Sequence, residues 1–349
     1  MAYTDIDKPS DYFNTKLYTG TGSTQSITGV GFQPDWVWIK DRDAANWNCL
    51  MDAVRGASKV IYSNESDAEA TVSTLLTSFD SDGFSLGAAA DGNRNTANFA
   101  SWNWKAGGSA SSNSNGSITT SISANQDVGF SIVSYTGNNS NGATIGHGLG
   151  ATIDMVIIKK RSDTAQWAVG GTNIDSTFNG YLFLDDTIGT ATSDNVFNDT
   201  APSSSVVTLG TTGDSNASGQ TYIAYCFAEK QGFSKFKSYT GNGSTNGTFV
   251  YTGFKPAFVL CKLKSADGYG WTLFDNKRAG FNELNYTLQP DNSNAQNTGG
   301  GNGRIDMLSN GFKLRTTDAG INGSGSTYIF MAFAENPFTT STGVAGLAR

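Results

Sequence analysis

One sequence pattern occurs three times along this chain of 349 residues. Each copy opens on a Tyr-Thr-Gly triplet, at Tyr18, Tyr135 and Tyr239. An apolar run follows and ends in a lysine, at Lys40, Lys159 and Lys262. Each copy then closes on an aromatic-rich run, which reads "FASWNWKA", "YIAYCFAEK" or "YIFMAFAEN". Landmarks that recur in one order at similar spacing indicate internal duplication of a single module.

The periodicity within each copy is typical of strands. The runs "DWVWIK" and "AFVLCK" are short and apolar, while "FASWNWKA" alternates between two faces. Asn-Gly, Asp-Gly and Thr-Gly turns lie between such runs, because Gly and Asn adopt positive φ at little cost. Only residues 64–79 have the pattern of a short helix. We therefore predict an all-β chain of three tandem antiparallel β-sandwich modules, jelly-roll-like in topology and related by internal duplication.

The copies and the sequence between them predict six segments. Residues 107–128 are rich in Gly, Ser and Asn, so we expect a flexible linker there. Almost nothing separates the second copy from the third, and we expect those two to be rigidly coupled. The predicted segments are an N-terminal arm over 1–15, modules over 16–106, 129–231 and 232–338, the linker over 107–128, and a C-terminal arm over 339–349.

Composition narrows the class of function. The net charge of −7 and the absence of a basic stripe argue against a nucleic-acid partner. No run of 18 apolar residues occurs, so we expect no membrane span, and the opening residues do not resemble a secretion signal. Cys49, Cys226 and Cys261 are widely separated, and we interpret them as reduced thiols of a protein that is assembled in a cytosol.

Two Asp and Arg pairs recur at the same place in the first and third copies. Asp52 and Arg55 lie in "MDAVRG", and Asp275 and Arg278 lie in "FDNKRAG", whereas the second copy reads "AVGGTNID". A carboxylate site for sugar or calcium is one interpretation. We favour structural ion pairs that fix a turn, because charges in a protein interior are usually paired. The turns "FDSDGF" and "DGNRN" lack the ligand spacing of a calcium loop.

The residues needed for catalysis are scarce. His147 is the single histidine and falls in one copy only, so we interpret it as a surface-loop residue. A polysaccharide depolymerase would need two close carboxylates, for which Glu65, Glu69, Asp80 and Asp82 are the candidates. Acidic residues in polar turns are normally only solvated. We therefore predict no catalytic residues, no metal ligands, no cofactor and no enzymatic activity.

The chain resembles a module of virion structural proteins of marine tailed bacteriophages. The resemblance rests on "YFNTKLYTGTGSTQSITGVGFQPDWVWIKDR", "MDAVRGASK", "LTSFDSDGFSLG" and "SWNWKAGG" in the first copy. It continues through "YIAYCFAEKQGFSKFKSYTGNG" and "VYTGFKPAFVLCK" to "YIFMAFAENPFTTSTGVAGLAR". Such proteins are described as capsid-associated or tail-fibre-like, and the resemblance implies no catalytic residue.

This resemblance implies a non-enzymatic component of the virion surface that is assembled in the host cytoplasm. We expect an external capsid decoration in preference to a tail fibre, because the chain lacks a heptad or collagen-like shaft. The expected partners are other virion proteins and further copies of this chain in a homo-oligomer, with no nucleic acid and no membrane. The alternative is a lectin-like adhesin or receptor-binding fibre that binds host-surface polysaccharide through exposed aromatic residues.

Overall fold

A computed structural model describes residues 3–299 and 304–346. The chain is all-β, and its strands fall into three groups in sequence order. The first group follows a 3-10 helix at Pro9–Asp11 and contains β1 Phe13–Thr19, β2 Gln25–Thr28, β3 Trp36–Asp41, β4 Asn48–Asp52, β5 Lys59–Tyr62, β6 Ala70–Thr71, β7 Leu76–Asp80, β8 Gly83–Leu86, helix α1 Ala90–Asn93 and β9 Asn98–Trp104.

The second and third groups close, like the first, on a long strand. The second group contains β10 Ser111–Asn113, β11 Thr120–Asn125, β12 Phe130–Thr136, β13 Ala143–Gly146, β14 Met155–Lys160, β15 Ala168–Gly171, β16 Gly180–Phe183, β17 Ala191–Thr192, α2 Asp194–Phe197, β18 Val206–Leu209 and β19 Thr221–Phe227. The third group contains β20 Ser234–Thr240, β21 Phe249–Tyr251, β22 Phe254–Leu263, β23 Thr272–Asp275, β24 Ile305–Leu308, β25 Gly311–Leu314, α3 Ala319–Asn322 and β26 Thr327–Pro337.

Each group forms one large and one small antiparallel sheet. The large sheets have the strand orders β1-β9-β3-β4-β5-β6, β10-β11-β12-β19-β14-β15-β16-β17 and β20-β26-β22-β23. The small sheets have the orders β2-β8-β7, β13-β18 and β21-β25-β24. In every large sheet the closing strand of the group lies between the strand that ends in the Tyr-Thr pair (β1, β12 or β20) and the strand that carries the apolar run. The prediction of an all-β chain with antiparallel sheets is confirmed.

The central strands of the large sheets are buried on both faces, and their side chains alternate between two cores. Trp36 and Trp38 of β3 belong to a core that contains residues of all three groups. Val37 and Ile39, between and beyond them, pack with Phe84 of the small sheet in a separate outer core. Strands β14 and β22 alternate in the same way. Each small sheet therefore covers the outer face of a large sheet, as in a sandwich.

The inner faces of the three large sheets meet in the shared central core. Ring contacts join the groups pairwise: Trp36 stacks on Tyr225 with centroids 4.5 Å apart, Trp104 lies 5.7 Å from Phe258, and Phe227 lies 6.1 Å from Phe333. Trp36, Trp38, Trp102 and Trp104 are each at most 1% exposed. The three groups consequently share one interior.

Two local predictions are wrong. Residues 64–79 contain strand β6 and most of β7 in place of a helix, and the only helices in the described chain are short turns elsewhere. Residues 107–128, predicted as a flexible linker, contain the strands β10 and β11. Strand β11 pairs with β12 and β10 pairs with β11, so both strands extend the second large sheet. Ile122 of β11 is buried, and the pairing covers an edge of β12 that would otherwise be left unpaired.

The two terminal arms lie against the body of the protein and touch each other. Ile6 is buried in the central core, and strand β1 already begins at Phe13, within the predicted arm. The Asp7 carboxylate accepts hydrogen bonds from the backbone N–H and the hydroxyl of Ser341. Residues 1–2 and 347–349 of the predicted arms lie outside the described residues. None of the helices described is long and apolar enough to cross a membrane.

Candidate functional site: buried polar contacts between the sheets

The first Asp and Arg pair lies at the end of β4, inside the protein. Arg55 Nε donates to Asp52 Oδ2 at 2.5 Å, and both side chains are fully buried. The guanidinium also donates to the backbone carbonyl of Leu50, and Asp52 Oδ1 accepts the Arg55 N–H. From the second group, the Tyr225 hydroxyl donates to Asp52 Oδ2 at 2.8 Å. Burial lowers the pKa of Arg55, but Asp52, Tyr225 and Glu69 together outweigh this effect and hold the pKa above its usual value.

The second pair repeats this geometry at the end of β23. Arg278 Nε donates to Asp275 Oδ2 at 2.5 Å, and its Nη2 donates to the Leu273 carbonyl. From the first group, Trp102 Nε1 donates to the same Asp275 oxygen at 3.1 Å, and the guanidinium lies 5.7 Å from the Trp102 ring centroid. The structure thus brings each predicted pair together and adds a donor from a neighbouring sheet that the sequence did not indicate.

The middle group has apolar residues at the corresponding positions. Gly171 pairs with Met155 across two neighbouring strands, just as Asp52 pairs with Trp36 and Asp275 pairs with Phe258. Gly171 therefore occupies the position of the aspartate. Three residues beyond Gly171, Ile174 is 5% exposed and belongs to the central core. The position of the neighbouring donor is occupied by Met331, which has no hydrogen to donate. The carboxylate, the guanidinium and the cross-sheet donor are therefore all absent together.

The three lysines that end the apolar runs are also buried, although lysine is among the residues least often found in an interior. Each ammonium donates to a carbonyl within its own group and to a carbonyl of another group. The cross-group bonds run from Lys40 to Ser293 O at 2.7 Å, from Lys159 to Ser66 O at 2.7 Å and from Lys262 to Asp186 O at 3.2 Å. These bonds pass from the first group to the third, from the second to the first and from the third to the second.

Burial lowers the pKa of each of these lysines to about 8, although neighbouring acidic groups act in the opposite direction. The recurrence of the lysines is visible in the sequence, but their contact with a neighbouring group is not. The signal for this contact was a lysine at the end of an apolar strand in all three copies.

The opening tyrosines explain why the Tyr-Thr-Gly triplet recurs. Each tyrosine hydroxyl donates to a backbone carbonyl in the segment just before the closing strand, with acceptors Gly92, Ser215 and Ile321. In the first group, a Cβ on Gly20 would lie 2.2 Å from the carbonyl oxygen of Arg94, so this position requires glycine. The triplet is therefore bound to the far end of its own group.

A buried asparagine, not predicted from the sequence, follows each of those carbonyls. The Asn216 side chain donates to Ser140 O and Gly210 O and accepts the Asn138 N–H. Asn93 and Asn322 make the same three kinds of bond in their groups. Each asparagine stands six residues before the aromatic residue near the start of the closing strand, and that constant spacing could have revealed it.

The interpretation of His147 as a surface residue is wrong. Its side chain is buried, with Nε2 3.3 Å from the Ser203 carbonyl oxygen, and burial lowers its pKa.

The four carboxylates considered for hydrolysis have separate partners. Glu69 binds Arg55 and Arg161, and Asp82 accepts backbone N–H groups. Among the described residues, no three His, Cys, Asp or Glu side chains are grouped to hold a metal ion.

The recurring polar residues thus define an all-β protein in which buried ionic and amide groups join the sheets. The chain belongs to the family described as a domain of unknown function, DUF7483, which matches residues 8–337. No curated protein matches the sequence.

Proposed function

We propose that the chain consists of three copies of one duplicated β-sandwich module arranged about a common core. The proposal is supported by the shared strand order of the three large sheets. It is also supported by the cyclic direction of the lysine bonds, each of which reaches a different neighbouring group. Three related modules that face one another would give this pattern, because equivalent residues then meet equivalent surfaces.

The function that fits this architecture is that of a non-enzymatic structural component of a bacteriophage virion surface. The observation that carries it is that the residues repeated across the copies serve contacts within the fold. The opening tyrosines, the buried asparagines and the terminal lysines bind backbone carbonyls, and the Asp and Arg side chains bind each other. A conserved reaction site would instead direct repeated polar groups into an open cavity.

The resemblance to virion proteins gives the proposal its biological setting. Within it, an external capsid decoration is preferred to a fibre, because the described chain contains no long helical or collagen-like shaft. The partners would be the capsid or tail proteins and further copies of the chain. One of the two terminal arms would provide the anchor.

Labelling of intact particles tests the proposal. Gold-conjugated antibodies against this protein should decorate the capsids of purified particles in electron micrographs. Labelling confined to the tail would rule out the capsid version but retain a virion role. Absence of the protein from purified particles, checked by mass spectrometry, would overturn the proposed function.

A further inference from the structure

A cavity of about 490 Å³ opens at one end of the third large sheet. Its volume is in the range of small-molecule sites. It lies between the turn that precedes β23, the segment 287–297 and the start of α3. The side chains that matter for recognition are Tyr269, Thr272, Gln289, Asn294, Asn297 and Asp318.

The wall formed by residues 287–297 is fixed by residues of the first group. Lys40 Nζ donates to Ser293 O at 2.7 Å, and Asn48 Nδ2 donates to Asn292 O at 2.9 Å. These bonds use the backbone carbonyls of the segment and hold its path. A cavity whose wall is already ordered loses less conformational entropy when it binds a ligand.

The lining combines an aromatic face with uncommitted amides. The Tyr269 side chain is 39% exposed at the cavity. The side-chain amides of Gln289 and Asn294 make no hydrogen bond within the described part of the chain, and each offers both a donor and an acceptor. A sugar ring presents an apolar C–H face together with hydroxyls that donate and accept, so it matches this combination.

The charge of the cavity selects among sugars. Asp318 is the one charged side chain among the lining residues described, and no lysine, arginine or histidine is among them. A phosphate, sulfate or carboxylate group would therefore find no cationic partner and would be repelled by Asp318. A neutral ligand is favoured.

We infer that this cavity is a binding site for a neutral saccharide, with the Tyr269 ring against the sugar face and the Gln289 and Asn294 amides on its hydroxyls. All of the lining residues belong to the third group. The inference does not depend on where the protein lies in a particle.

Binding of the full-length protein to immobilised neutral oligosaccharides tests it, with the array carrying hexose and N-acetylhexosamine chains and acidic sugars for comparison. The wild type should bind neutral probes, and titration of the best probe should show at least a tenfold loss of affinity in Tyr269→Ala and a measurable loss in Asn294→Ala. Tyr251→Ala is the matched control, because Tyr251 is 53% exposed but lies outside this cavity.

Loss in Tyr269→Ala and Asn294→Ala, with Tyr251→Ala unchanged, would support the site. If Tyr269→Ala does not fold, Asn294→Ala decides, because Asn294 is exposed and its amide has no partner among the described residues. No binding of any neutral probe by the wild type, or wild-type affinity in Asn294→Ala, would overturn the inference.

Discussion

Individual polar residues in this protein change together across the three groups. Where Asp52 and Asp275 bind an arginine, a donor from a neighbouring sheet completes the contact, as Tyr225 does for Asp52. In the middle group, Gly171 replaces the aspartate and Ile174 replaces the arginine, and Met331 of the third group stands where the donor would be. A buried charge without its partner is costly, whereas a wholly apolar replacement can be neutral. This asymmetry accounts for the joint absence.

Removal of one member of a pair is expected to cost more than removal of both. Asp275→Ala leaves the Arg278 guanidinium buried without its carboxylate, and we expect a loss of about 3–5 kcal/mol in the free energy of unfolding. The double variant Asp275→Ala, Arg278→Ile should be more stable than this single variant, although it removes more side-chain atoms. Urea denaturation of both variants measures the difference.

An exposed ion pair provides the control for this comparison. Lys8 and Asp11 are 71% and 45% exposed, and Asp11→Ala should change the unfolding free energy by less than about 1 kcal/mol. Losses in the double variant equal to or greater than those in Asp275→Ala would show that the buried arginine does not depend on its carboxylate.

At the scale of elements, the decisive feature is a strand that is buried on both faces and ends in a lysine. Strand β14 carries apolar residues from Met155 to Ile158, followed by Lys159, whose ammonium joins it to the carbonyl of Ser66 in the first group. The chain thus places a cation at the point where one sheet meets the turn of another. A hydrophobic residue could fill the space but would leave the carbonyls without a donor.

This contact predicts a pH dependence of stability. The folded pKa of Lys159 is about 8, below the usual value of 10.5, so the unfolded chain binds more protons between these values. The contribution of Lys159 to the free energy of unfolding should therefore rise as the pH increases from 8 to 10.5. Denaturation of the wild type and of Lys159→Met across this window should show a difference that grows in favour of the wild type.

Lys8→Met is the matched control, because Lys8 is exposed to solvent. Its stability curve should run parallel to that of the wild type over the same pH window. A parallel curve for Lys159→Met would contradict the view that burial keeps this ammonium poorly solvated.

Elements with an apolar pattern were predictable from sequence, and elements without one were not. The apolar run "DWVWIK" indicated strand β3, because burial on two faces leaves a continuous apolar run, and the alternation in "FASWNWKA" indicated strand β9. Strand β10 reads "SSN", has no apolar pattern and pairs with β11 through the backbone, which composition does not reveal. The Asp and Arg pairs are three residues apart and hence visible locally. The cavity is not, because its wall is held by contacts such as Lys40 to Ser293 over 253 residues.

For the whole molecule, the central feature is the core shared by all three large sheets. Aromatic residues from each group meet there, as in the contacts of Trp36 with Tyr225 and of Phe227 with Phe333. The inner face of any one large sheet would be exposed if the other two were removed. Burial of that apolar surface therefore makes the stability of each group depend on its neighbours.

Differential scanning calorimetry of the full-length protein tests this dependence most directly. If the three sheets share one core, heating should give a single transition whose calorimetric enthalpy equals the van't Hoff enthalpy. Two or three separable transitions, with a calorimetric enthalpy well above the van't Hoff value, would mean that the groups unfold independently and would contradict the common core.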